Sequence, residues 1–340
     1  MPEPSPTSPK RRGRLLRFGA AVVVLCAVAG YLAVQYLTGG AGGPGCRVVS
    51  GEGDPAVYEF TPEQAVNAAT ISAVGTDRGL PERAVTIALA TALQESGLRN
   101  IEHGDRDSLG LFQQRPSQGW GTEQQIMDPT YAAGVFYEHL VKVSDYEDLP
   151  LTVAAQRVQR SGYPEAYAKH ESDAALLAAA LTGRTAATLT CDGRQTAETA
   201  ATAAGPSAVR TALVRDFGRE ALQEAGAEVD GKSGRGKATT APVPEVSAAA
   251  DGRTVTVPVP GGTGEAAGRS TDERGWQIAH WAVANASALH ISRISYAGRE
   301  WSAGTTDSRW RTARTPDSGT TETETEQAAG DSIRIVTAPR

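Results

Sequence analysis

The chain has 340 residues, 40% hydrophobic and 21% charged, with 37 glycines and 19 prolines. That length leaves room for two domains plus linker, and the composition is neither wholly disordered nor collagen-like. Residues 1–17 carry Lys10, Arg11, Arg12, Arg14 and Arg17 against Glu3, a local +4; the net charge of -6 minus +4 leaves -10 for the rest, which argues against a nucleic-acid-binding surface.

After this basic tail, residues 18–37 read FGAAVVVLCAVAGYLAVQYL, an uncharged run with Gln35 as its one strongly polar member. At 1.5 Å per residue such a helix is about 30 Å long, the thickness of a bilayer's hydrocarbon core. The run predicts a single transmembrane helix in contact with the lipid bilayer. The positive-inside rule then leaves 1–17 in the cytoplasm and places the body outside. Ala27-Val28-Ala29 resembles a signal-peptide cleavage site, but the apolar stretch continues through 31–37 and reads better as an uncleaved anchor. A Gly-rich spacer follows at 38–45.

Cys26 lies inside the apolar run, which leaves Cys46 and Cys191 at the two ends of one segment. In an oxidising compartment these two are predicted to form a disulfide, the alternative being two unrelated free thiols. Closing a loop of that size contributes up to about 4–5 kcal/mol through the unfolded state. Two thiols and five histidines without H-E-x-x-H spacing give no metal site, and no cofactor is expected.

Residues 46–191 predict an all-α domain. Thr61-Pro62-Glu63-Gln64 opens a first helix with an N-cap, Pro at N1 and Gln at N3, and Gly79 ends it. Pro81 opens a second helix through Ser96 (ERAVTIALATALQES) that is apolar on almost every side, the mark of a buried central helix. Asp128-Pro129 starts a third, and further helices begin near Pro150 and Pro164. A linker follows at 192–206. Residues 207–340 predict a small α/β (α+β) accessory domain, with helices at 209–224 and 272–289, strands at 255–259, 294–301 and 333–336, and loops over 231–252 and 303–330.

Glu95 is the single acid between Glu82 and Glu102, near the end of the apolar helix. Burial and the partial negative charge of a helix C-terminus both disfavour its ionised form. A carboxyl group held protonated near neutral pH serves as a general acid for glycosidic-bond cleavage. The bland alternative is a solvated Glu at a helix end. In the loop that follows, Ser108, Gln113 and Gln114 offer amide and hydroxyl partners for sugar oxygens, and Trp120 offers a flat ring for a pyranose face.

Glu95-Ser96 followed by Gly110-Leu111-Phe112-Gln113 resembles the E-S … G-L-M-Q pattern of lytic transglycosylases and goose-type lysozymes. The longer text GLFQQRPSQGWGT resembles lysozyme-like domains of actinobacterial wall proteins and phage lysins. The resemblance covers about 60–183. It implies a lysozyme-like fold acting on the glycan strands of peptidoglycan, with Glu95 as acid/base, Ser96 beside it and Gln113 walling the sugar site. Ala154-Ala155-Gln156 stands where many transglycosylases have Ala-Tyr-Asn, so Gln156 is a departure. Tyr167 takes the place of the family's late tyrosine.

A hydrolase needs a second carboxylate, for which Glu102, Asp105, Asp107 and Asp128 are candidates. A transglycosylase-type route needs Glu95 alone and leaves a 1,6-anhydro-muramoyl end. The rival expectation is a catalytically idle lysozyme-like module that binds peptidoglycan or recruits cell-wall or secretion proteins through the C-terminal region.

Overall fold

The computed structural model describes residues 45–51, 56–193, 205–218, 252–259, 269–304, 309–313 and 332–339. Strand β1 (Cys46–Val49) pairs antiparallel with β2 (Val57–Phe60) on one edge and with β3 (Leu189–Cys191) on the other. The register sets Cys46 directly opposite Cys191, and a disulfide joins them. The two ends of the N-terminal region are therefore tied by backbone and by covalent bond.

Thr61 turns the chain from β2 into α1 (Pro62–Asp77) through a reciprocal cap. Its amide donates to Gln64 Oε1 at 2.8 Å, while its Oγ1 accepts from the Gln64 amide at 3.3 Å. Helix α2 (Glu82–Ser96) is buried at every position from Ala84 to Leu93. Its alanines leave little side chain between backbones, so neighbouring helices pack on every side of it. Gly97, in the left-handed region at φ 64°, ends α2. Two α1 side chains then grip that end: Gln64 Nε2 donates to the Gly97 carbonyl and Asn67 Nδ2 to the Leu98 carbonyl, each at 2.8 Å.

Around α2 stand α1, α4 (Pro129–Leu140), α5 (Leu151–Gln159) and α6 (Glu171–Leu181). The short α3 (Glu123–Ile126) and two 3-10 segments, Pro116–Gln118 and Pro164–His170, lie in the connections. Asp128 caps α4 by accepting the Thr130 amide at 2.9 Å. Phe136 of α4 stacks on Phe112 with ring centroids 4.6 Å apart. The Tyr137 hydroxyl donates to the Ile71 carbonyl at 3.0 Å, over a glycine at position 75 where a side chain would collide with it.

The C-terminal region contributes α7 (Pro206–Phe217), α8 (Thr271–Ala284) and an antiparallel sheet. In spatial order its strands are β4 (Thr254–Pro258), β8 (Ser332–Thr337), β5 (Ile291–Tyr296), β6 (Arg299–Ser302) and β7 (Arg311–Thr312). Helix α8 packs on this sheet and also on α1, α6 and β3, so one hydrophobic core extends from Cys46 to Ile335. Polar contacts cross the same seam. Gln277 Nε2 donates to Thr76 Oγ1 at 2.6 Å, and Trp310 Nε1 donates to the Leu189 carbonyl at 2.9 Å. The fully buried Asp216 side chain accepts from Trp281 Nε1 at 2.8 Å and from Arg215 Nε at 2.7 Å.

Two expectations are corrected. The chain is a mixed α/β protein with two antiparallel sheets among the described residues, and residues 46–191 are not all-α, because β1, β2 and β3 form a sheet at their base. Strands of three or four residues are too short for a period-2 pattern to show, and β1 finds β3 only across the length of the region. The single-pass membrane architecture is also corrected: among the described residues no helix is long and apolar enough to cross a membrane. An apolar run of sufficient length is a requirement for a span and does not by itself make one. The stretch 18–37, with the tail 1–17 and the spacer to residue 44, lies outside the described residues, as do most of the loops expected over 231–252 and 303–330. The cytoplasmic placement of the N-terminus, with the body outside, rested on that helix and is withdrawn with it.

Two stability measurements test this architecture. Reducing the Cys46–Cys191 bond, which spans a sequence separation of 145, is expected to lower unfolding free energy by about 2–5 kcal/mol. Urea titration with and without reductant reads this, and coincident curves would show that the bond closes nothing the fold relies on. At Gly183, φ is +84° and an added Cβ would collide with the Glu273 carbonyl oxygen. Gly183→Ala is therefore expected to destabilise by at least about 2 kcal/mol, by prying the end of α6 from the first turn of α8. An unchanged urea midpoint would contradict that close approach.

Candidate active site

Glu95 occupies the penultimate position of α2, where the helix's unsatisfied carbonyls gather and its ordinarily charged side chain is half-buried. Burial pushes its carboxyl above the usual range, against the opposing pull of hydrogen bonds from Tyr167 and Gln159. The Tyr167 hydroxyl donates to Glu95 Oε1 at 2.6 Å, and its ring is fully buried. Burial likewise pushes the Tyr167 phenol upward, and the neighbouring carboxylate adds to this, so Tyr167 remains a donor. Burial thus favours the proton-bearing form of the acid, while two neutral donors hold its carboxyl and favour the ionised form.

The other side chains expected here divide into supports and bystanders. Ser96 Oγ donates to the Leu111 carbonyl at 2.8 Å and to the Ala92 carbonyl at 3.1 Å, so it pins the following loop to α2. That loop closes on a two-way backbone pairing of Leu109 with Gln114, 3.0 Å in each direction. Gln113 sits at its tip with φ +49°, a left-handed conformation that is uncommon for a side-chain-bearing residue. The Gln113 amide turns inward, Nε2 donating to the Gly110 carbonyl at 3.2 Å and Oε1 lying over Gly104. Gln114 is buried and donates to the Ala132 carbonyl at 3.0 Å. Ser108 is buried too, its amide bonded to the Asp105 carbonyl at 3.1 Å.

Trp120 stacks one ring face on His139 with centroids 4.3 Å apart, and its carbonyl accepts from the Tyr131 hydroxyl. Gln156 is directed at the backbone: Nε2 donates to the Ser161 carbonyl at 2.8 Å. Of the candidate second carboxylates, Asp128 caps α4 and Asp107 is held by Arg115 at 2.7 Å and the Ser117 amide at 2.9 Å. Those hydrogen bonds hold the Asp107 carboxyl well below the usual range. Glu102 and Asp105 are exposed. Among the described residues, no three His, Cys, Asp or Glu side chains gather as a metal group.

One residue of the cluster was not expected. Gln159 lies one helical turn beyond Gln156 on α5, so both project from the same face. Its Nε2 donates to the Phe112 carbonyl at 2.8 Å while its side chain also hydrogen-bonds Glu95. The spacing Gln156-x-x-Gln159 is its signal in the sequence, whereas the family pattern points to position 156. A second pair stands beside the acid, Gln94 Oε1 lying 3.3 Å from His170 Nε2.

Residues 209–324 match the family model described as "VldE, C-terminal domain". The match begins within α7, runs beyond β7 and leaves Glu95 and its partners outside it. No curated protein matches the chain.

The environment of Glu95 has a consequence for stability. A carboxyl raised by burial binds its proton more tightly in the folded state than in the unfolded chain, whose value is near 4.5. Stability therefore falls as pH climbs from about 4.5 through the raised folded value, then levels off. Glu95→Gln is expected to be more stable than wild type at pH 7, with the gap closing below pH 4.5. Urea denaturation of both proteins from pH 4 to 8 measures this; a pH-independent gap would mean that Glu95 is not desolvated.

Proposed function

We propose that this protein cleaves the glycan strands of peptidoglycan by a lytic-transglycosylase-type reaction with Glu95 as general acid/base. The observation that carries the reading is the half-buried Glu95 carboxyl, raised by desolvation and met at 2.6 Å by the Tyr167 hydroxyl. Support comes also from the resemblance of Glu95-Ser96 and Gly110–Gln113 to that family's pattern.

In this reaction protonated Glu95 gives its proton to the glycosidic oxygen as the bond from that oxygen to C1 of the muramoyl sugar breaks. The newly ionised carboxylate is held by the Tyr167 hydroxyl and the Gln159 amide, which reduce the cost of a charge in a desolvated place. Glu95 then removes the proton from the sugar's own 6-hydroxyl as that oxygen bonds to C1. A 1,6-anhydro ring results, and Glu95 ends protonated as it began. Tyr167 and Gln159 carry no opposing charge, which suits a route in which one carboxyl acts twice.

The rival, an idle module that holds glycan or recruits partners, draws on Gln114 and Gln156, whose amides are engaged with backbone carbonyls. Incubation of the purified protein with isolated peptidoglycan, followed by mass spectrometry of the soluble products, separates the two. Wild type is expected to release 1,6-anhydro muropeptides, and Glu95→Gln to release about 10²–10⁴-fold less. Binding without release at any pH from 5 to 8 would favour the idle module. Because the Tyr167 hydrogen bond lowers the Glu95 pKa, Tyr167→Phe is expected to move the high-pH limb of the activity profile upward. An unmoved limb would detach Tyr167 from the acid.

A further inference from the structure

Tyr163 is 78% exposed, the most exposed of the large hydrophobic side chains among the described residues. A bare aromatic ring in water forgoes burial, and the chain around this one is built to present it. Helix α5 ends at Arg160 in the left-handed region, with the Arg160 amide bonded to the Gln156 carbonyl at 2.8 Å. Gln156 Nε2 then fixes the Ser161 carbonyl at 2.8 Å, and Ser161 Oγ accepts the Tyr163 amide at 3.2 Å. The Tyr163 carbonyl receives the Ala166 amide at 3.1 Å at the start of the 3-10 segment. Both ends of the residue are held, and the ring stands out. At Gly162, immediately before it, an added Cβ would meet nothing within 4 Å, so the approach is open.

The same short segment reaches Glu95. Tyr167 lies on the 3-10 segment that begins just after Tyr163, and the Ser161 side chain hydrogen-bonds Tyr167 from the other end of the turn. Gln159, at the end of α5, contacts Glu95 directly. The turn from 160 to 163 is thus tied to both groups that hold Glu95, through Ser161 to Tyr167 and through the end of α5 to Gln159. Trp120, the aromatic expected to carry a sugar, has one face covered by His139.

From this placement we infer that Tyr163 is a stacking platform for a pyranose ring of the glycan strand, adjacent to the Glu95 site, and that Gln156 and Ser161 are the residues that position it. The inference rests on the glycan reading of that site. A pyranose presents a face of axial C–H bonds that packs on an aromatic ring, while the phenol hydroxyl is free to bond a sugar oxygen. In this view Gln156 serves the substrate through the turn it anchors.

Calorimetric titration of the full-length protein with a soluble N-acetylglucosamine tetrasaccharide, paired with sedimentation on isolated peptidoglycan, tests the platform. Tyr163→Ala is expected to weaken both by about three- to tenfold, and Tyr163→Trp to keep wild-type affinity. On release of soluble muropeptides, Tyr163→Ala is expected to raise KM with little change in kcat or in the pH profile. That split separates a platform from a residue that props up Tyr167. Equal binding by wild type and Tyr163→Ala would overturn the platform and leave the Glu95 reading standing. If wild type binds neither probe, the glycan reading fails and the platform fails with it.

Discussion

The burial of α2 is the constraint from which the rest follows. A helix with no polar stripe has to be enclosed, and α1, α4, α5 and α6 supply its walls. The enclosure carries one ionisable group with it at the far end. Glu95 meets the negative end of its own helix and a partly desolvated surround, both of which favour the proton-bearing form. The groups that answer this come from the enclosing elements: Tyr167 from the segment leading into α6, and Gln159 from the end of α5. The chemistry proposed for the site is a by-product of how the central helix is buried.

The same packing joins the two regions of the chain. Helices α1 and α6 present one side to α2 and another to α8, so the C-terminal sheet is braced against the helices that frame Glu95. The seam is tight. His280 is wholly buried in it, with its Nδ1 donating to the Ala180 carbonyl at 2.8 Å, and burial pushes its pKa down to about 4. Trp276 and Trp310 pack edge to face beside it with centroids 5.2 Å apart. These aromatics fill the seam between α8 and the end of α6. The matched family model covers the C-terminal side of this seam and none of the Glu95 side.

Much of the local structure was legible in the chain. The cap at Thr61 and the stop at Gly97 bound helices whose ends are set by backbone groups needing partners within a few residues. The apolar run ERAVTIALATALQES declared its own burial, and the isolation of Glu95 within it marked the candidate acid. The capping boxes at Thr122 and Ser270 are equally local. Side-chain direction was the harder matter. Gln113, Gln114 and Trp120 read as sugar-facing because polar and aromatic groups in a Gly-rich loop suit a carbohydrate. In the folded chain each finds a protein partner first, since buried amides require one.

What the sequence by itself determined was most of the longer helices, the buried status of α2 and the identity of its one late acid, because each depends on residues within a turn or two of one another. Only the tertiary structure decided which groups meet that acid, that β1 closes on β3, and that both regions share one core. Tyr167 lies 72 residues from Glu95 along the chain and Cys191 lies 145 from Cys46. No local pattern encodes such pairs. They are set by how neighbouring helices enclose α2, which is a property of the whole packed core.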